Sequence, residues 1–122
     1  MKQYIAVEQL NGLSDSGKEK LREWWKFNQS MADWYFDGEF VRAVLDDVGK
    51  VRAVVEGYPL LSIGQMIEFL VGVYGKRVDL DQYKDWNNPD ADWRVEAKHM
   101  TYMDKELCDA LWQATKEILE EK

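Results

Sequence analysis

Apolar positions along this chain follow two rhythms, one of about 3.6 residues and one of two, and their succession predicts a mixed α and β fold. The helical rhythm appears three times. Leu21, Trp24 and Trp25 mark a first helix from about Gly17 to Asn28, with Lys18, Lys20, Arg22 and Lys26 on its other faces. Ser14 or Ser16 is placed to cap it, and Ser16 with Glu19 fits a capping box. Ile63, Met66, Ile67, Leu70 and Val71 mark a second helix from about Ile63 to Val73. Ser62 and Gln65 form its capping box and Gly75 its stop. Leu107, Cys108, Leu111, Trp112, Thr115, Ile118 and Leu119 mark a third, from near Asp104 to about Glu120. Asp104 and Glu106 near its start suit the helix dipole.

The two-residue rhythm and the turn signals predict the strands. Residues 3–8 read as a short strand, and residues 33–58 as a β region. Within it, Trp34-Tyr35-Phe36 precedes Asp37-Gly38, a dipeptide that favours a type I′ turn. Val41-Arg42-Ala43-Val44 and Val51-Arg52-Ala53-Val54 are near repeats around a turn at Asp46-Asp47-Val48-Gly49-Lys50, which predicts a meander. A helix across 39–47 competes, because Phe40, Val44 and Asp47 also fit the helical period. Gly57-Tyr58-Pro59 breaks the pattern. Residues 76–92 are polar and turn-rich and read as a long loop. Trp93 to His99 alternates once more and reads as a last strand. The expected architecture is α+β, with three helices packed on a small antiparallel β-sheet. The 122 residues fit a single domain spanning 1–122.

Composition narrows the function classes. The chain is 46% hydrophobic and 32% charged, a globular balance that sets disorder aside. Its net charge of −7 repels nucleic acid and anionic membrane, so neither is an expected direct partner, whereas a basic protein surface is. Solubility alone also accounts for such a charge. One cysteine, Cys108, excludes an intramolecular disulfide. No stretch is apolar for long enough to serve as a signal peptide or bilayer span, which predicts a cytoplasmic protein.

No catalytic, cofactor or metal motif emerges. His99 is the only histidine, and Cys108 lies on the apolar stripe of a helix, where a buried structural thiol is expected rather than a nucleophile. Asp79-Leu80-Asp81 with Asp85 resembles part of a calcium loop. Tyr83 at its fifth position and Lys84 at its sixth break that pattern. Gly72-Val73-Tyr74-Gly75-Lys76 lacks phosphate-loop spacing.

The acidity is uneven. Residues 62–122 carry a net −5 against −2 for residues 1–61, and the window 79–92 holds five Asp and one Lys. Asp79, Asp81, Tyr83, Asp85, Trp86, Asp90 and Asp92 therefore form the candidate partner-binding segment: carboxylates to meet a basic groove, aromatics to anchor in it. In the alternative, Trp86 tucks back onto the core and the segment is a solvated polar loop.

Three segments taken together carry a resemblance: Leu21-Arg22-Glu23-Trp24-Trp25, Pro59-Leu60-Leu61-Ser62-Ile63-Gly64-Gln65-Met66-Ile67-Glu68-Phe69-Leu70, and Glu106-Leu107-Cys108-Asp109-Ala110-Leu111-Trp112. In this order they resemble a group of small uncharacterised proteins encoded in phages and prophages of clostridia and related Gram-positive bacteria. The likeness covers under half of the chain and falls on core and capping residues, so it implies a setting and assigns no functional residue. Small acidic proteins of that setting often inhibit host machinery, CRISPR nucleases included. The expectation is thus a non-enzymatic protein-binding module, an anti-CRISPR-like inhibitor whose partner is a host protein with a basic surface. A homo-oligomeric accessory protein and a small metal-dependent enzyme are the other readings.

Overall fold

The structure, a computed structural model, describes residues 2–28, 33–44, 46–47, 50–51, 57–75, 78–85, 88–97 and 100–121; for 46–47, 50–51, 83–85 and 88–92 it describes the backbone alone. The fold is α+β. In chain order the elements are α1 (Val7–Asn11), α2 (Asp15–Lys26), β1 (Trp34–Phe36), β2 (Val41–Ala43), β3 (Asp46–Asp47), β4 (Lys50–Val51), β5 (Tyr58–Pro59), α3 (Ile63–Tyr74), β6 (Asp79–Asp85), β7 (Asn88–Ala97), β8 (Met100–Asp104) and α4 (Leu107–Leu119). Four helices therefore stand among the described residues where three were expected. The strands divide into two antiparallel three-stranded sheets and a two-stranded ladder rather than one sheet. No described helix is long and apolar enough to cross a membrane.

The chain forms two compact units that are interleaved in sequence. Unit 1 comprises Met1–Ile5 and Ser62–Ile118; unit 2 comprises Ala6–Leu61 and Leu119–Lys122.

In unit 2, α2 begins at Ser14, whose hydroxyl accepts the Gly17 N–H at 3.0 Å. Ser14 rather than Ser16 is thus the cap, and Glu19 turns to Arg22 and Tyr58 instead of closing a capping box. Leu21 and Trp25 are fully buried. A buried aromatic or leucine of this kind is worth roughly 1.5–3 kcal/mol relative to exposure. The Trp25 indole N–H donates to Asp33 at 3.2 Å, which satisfies its one polar atom. Tyr35 of β1 meets the Trp25 ring at 5.7 Å.

The sheet of unit 2 runs β2-β1-β5. Phe36 pairs with Val41, and the Asp37 N–H donates to the Phe40 carbonyl, so Gly38 and Glu39 occupy the centre of the turn. The turn is one residue later than Asp37-Gly38 predicts, because the Asp37 carboxylate accepts from the Glu39 and Phe40 N–H groups and fixes that residue at the strand end. Tyr58-Pro59 does not break the fold but adds a short edge strand to β1. Proline is tolerated there because an edge position can spare an N–H donor.

Residues 41–43 and 46–47 are strand, not helix, and Asp46 pairs with Val51 across the β3–β4 ladder. The expected turn at Val48-Gly49, the remainder of the 51–56 strand and His99 lie outside the described residues. The expected strand at 3–8 is replaced by a single bridge, Tyr4 to Ser62, and by α1 from Val7. The Gln9 side chain accepts the Ala6 N–H at 2.8 Å, a local bond that stabilises a first helical turn.

In unit 1, α3 follows the expected design. The Ser62 hydroxyl accepts from Gln65 N–H, the Gln65 amide oxygen accepts from Ser62 N–H, and Gly75 closes the helix in the left-handed conformation. Helix α4 buries Leu107, Cys108, Leu111, Trp112, Thr115 and Leu119 of the predicted stripe, whereas Ile118 is half-buried. Thr115 is satisfied by the Leu111 carbonyl at 2.8 Å. The Lys2 ammonium meets Asp109 at 2.7 Å and ties the start of the unit to α4. Tyr102 donates to Glu117 and Gln113 to Asp104, linking α4 to β8.

Candidate functional site

The predicted acidic loop is a β-hairpin. Strands β6 and β7 pair antiparallel from Asp79 opposite Glu96 to Asp85 opposite Asn88, with an irregularity between Tyr83 and Asp85. Strand β8 then pairs along the other edge of β7. The Asp, Asn and Pro residues of 76–92 argued for a loop. Strand geometry wins because Leu80 stands opposite the fully buried Val95, and the flanking carboxylates point the other way.

That alternation gives the sheet two chemically distinct faces. Val95, Ala97 and Tyr102 are buried on one. On the other, the register groups Asp79, Asp81, Arg94, Glu96, Thr101 and Met103. Asp79, Asp81, Thr101 and Met103 are exposed there, and Arg94 and Glu96 are half-buried.

Arg94 lies directly opposite Asp81 and grips it with two bonds, Nε at 3.0 Å and Nη2 at 2.5 Å. It also reaches Glu96 at 3.6 Å. A bidentate pair of this kind fixes side-chain direction as well as charge. Asp79 stands directly opposite Glu96. Facing residues of an antiparallel pair have Cβ atoms about 5 Å apart, so two carboxylates here repel one another. Among the described side chains the face thus offers three carboxylates against one guanidinium.

Of the seven predicted residues, Asp79 and Asp81 lie together on this face. Tyr83 is placed in register with Asp92, Asp85 with Asn88, and Asp90 lies within β7. Trp86 lies outside the described residues. Sequence reasoning missed Arg94 and Glu96 as members of the site. Their signal was present: they are the polar half of the alternation at 93–97, and once 79–82 is read as a strand they fall opposite Asp81 and Asp79.

Asp79 and Asp81 are strand residues, so the resemblance to a calcium loop does not extend to its geometry. Among the described residues no group of three or more His, Cys, Asp or Glu is placed to hold a metal ion. Cys108 is buried in α4; burial pushes its thiol up to about 11, against the opposing influence of the Lys2 charge. Little thiolate then exists at neutral pH, which suits a structural thiol. In unit 2, the Arg22 guanidinium stacks over the Tyr58 ring at 4.1 Å, and the phenol donates to Glu19 at 3.1 Å. Burial foremost, and that hydrogen bond, raise the Tyr58 pKa. Arg22 also donates to the Gly57 carbonyl at 3.2 Å, so this cluster fastens β5 to α2.

Comparison of the chain with protein-family models, with curated proteins and with solved structures finds no match.

Proposed function

We propose that the chain is a non-enzymatic, acidic protein-binding module that sets the outer face of β6–β7–β8 against a basic surface of another protein. In its most specific form it is a phage-encoded inhibitor of a host defence nuclease, of the anti-CRISPR kind, whose carboxylates stand where nucleic-acid phosphates otherwise lie. The single observation that carries this reading is the placement of Asp79 opposite Glu96. Like charges across a strand pair cost stability in the isolated protein, and a local rule broken in this way is expected where function demands it. A cationic partner relieves the repulsion and gains two desolvated ionic contacts. The net charge of −7 steers the encounter. The phage setting rests on the resemblance of the three core segments.

The test is a variant with Asp79, Asp81, Asp85, Asp90 and Asp92 all changed to Asn. It should keep its circular dichroism spectrum and lose partner binding. Unchanged binding by a folded variant removes the acidic face from the account.

A second reading, assembly of identical copies, draws support from apolar side chains left open to solvent in unit 2. Phe27 is 85% exposed and Phe40 56%. Isolated exposed apolar residues are common, so the size of the particle decides. Light scattering that finds a monomer at high concentration sets this reading aside.

A further inference from the structure

From Leu119, the last residue of α4, onward the chain belongs to unit 2, although the rest of that helix belongs to unit 1. Leu119 is 2% exposed. The Glu120 carboxylate accepts the Ser14 N–H at 2.9 Å. The Glu121 carbonyl accepts from the Lys20 ammonium. Both of these polar contacts fall on the amino-terminal half of α2 or on its cap.

Gly17 explains how the carboxylate fits. A Cβ on that residue would lie 2.4 Å from the Glu120 Oε1 and 3.3 Å from the Ser14 Oγ. Glycine in a helix is otherwise unfavourable relative to alanine. Its absent side chain here is the space the carboxylate fills. The carboxylate also lies at the positive end of the α2 dipole and satisfies a donor at the helix start, where N–H groups lack intrahelical partners.

We infer that Leu119–Glu121 is a latch seated on Gly17, which holds the first turn of α2 closed and whose release opens that turn without unfolding the rest of the chain. Helix ends open locally at low free energy, so a contact that ties one down sets its opening equilibrium. A side chain at residue 17 meets the far end of a flexible glutamate first, with the Ser14 Oγ farther off at 3.3 Å. It therefore displaces the latch rather than the helix.

The experiment is amide hydrogen exchange, followed residue by residue by NMR, on the full chain and on Glu120→Ala, Gly17→Ala and the double variant. The Ser14 amide reports the latch directly, and the amides of β6–β8 serve as the internal reference. The latch predicts that Ser14 exchanges roughly two- to fivefold faster in each single variant. The double variant should be no faster than either single one, and the β6–β8 amides should be unchanged. Unchanged Ser14 exchange in Glu120→Ala overturns the latch. Unchanged exchange in Gly17→Ala overturns its seat. A multiplicative effect in the double variant, or equal acceleration of β6–β8, overturns the proposal as a whole.

Discussion

Asp79 stands directly opposite Glu96 in the β6–β7 ladder, two carboxylates in facing positions on an exposed sheet face. Removing one of the two charges should therefore help the isolated fold. Glu96→Gln is expected to raise stability by roughly 0.2–0.5 kcal/mol at low ionic strength. The gain should shrink as salt is added, because both groups are open to screening. Urea denaturation at two salt concentrations measures both effects. A loss of stability at low salt means that the contact of Glu96 with Arg94 outweighs the repulsion.

Arg94 is the counterpart test. It holds Asp81 in a bidentate pair and reaches Glu96. Arg94→Ala removes the guanidinium that stands among the three described carboxylates of this face. The pair is largely exposed, so a loss of about 0.5–1 kcal/mol is expected. Added salt should recover part of it, since part is repulsion among the remaining carboxylates. Arg94→Lys keeps the charge but not the fork, and should fall between the two.

Much of the helical half of the fold was legible because its signals are local. Ser62, Gln65 and Gly75 specify where α3 begins and ends without help from the rest of the chain, and the α4 stripe runs unbroken from Leu107 to Leu119. The β6–β7 hairpin was not legible. Asp79, Asp81, Asp85 and Asp90 carry turn propensity, and the opposing preference appears only when Leu80 meets Val95 across the ladder. The site followed the same course: its acids were visible as composition, but their company with Arg94 and Glu96 is a matter of register. At the start of the chain the expected strand gives way to α1, whose first turn is held by the Ala6 N–H donating to the Gln9 side chain and by the Ala6 carbonyl accepting from Gln9 and Leu10 N–H.

Acid should loosen the β1–β2 turn before it loosens the helices. The Asp37 carboxyl is held down to about 2 by the Phe40 N–H foremost, then by Arg42 and the Glu39 N–H. The folded value lies below the ordinary one. Its contribution to stability is therefore complete above the usual carboxylate range and is lost as pH falls from about 4 toward about 2. NMR titration of the Asp37 carboxyl carbon should show the depressed midpoint. In Asp37→Asn the same stretch of the stability profile should flatten.

Gly57 should tolerate no side chain. Its φ of +93° lies in the region that side chains rarely adopt. A Cβ there would lie 2.9 Å from the Phe36 carbonyl oxygen and 3.0 Å from the Tyr35 ring. Backbone cannot swing aside as a side chain does, so Gly57→Ala should cost at least about 1 kcal/mol. Denaturant midpoints give the value, and loss of the Arg22–Gly57 hydrogen bond should accompany it.

Docking of the acidic sheet face on a basic protein surface is open to affinity capture. The immobilised chain is exposed to a nuclease-treated lysate of a clostridial or related host, at low and at moderate salt, beside the folded variant in which Asp79, Asp81, Asp85, Asp90 and Asp92 are Asn. Mass spectrometry then identifies what each retains. The parent should hold one basic, nucleic-acid-binding protein at low salt and release it as salt rises, and the variant should not retain it. Equal retention by parent and variant, or retention of nothing but the chain itself, contradicts docking by this face.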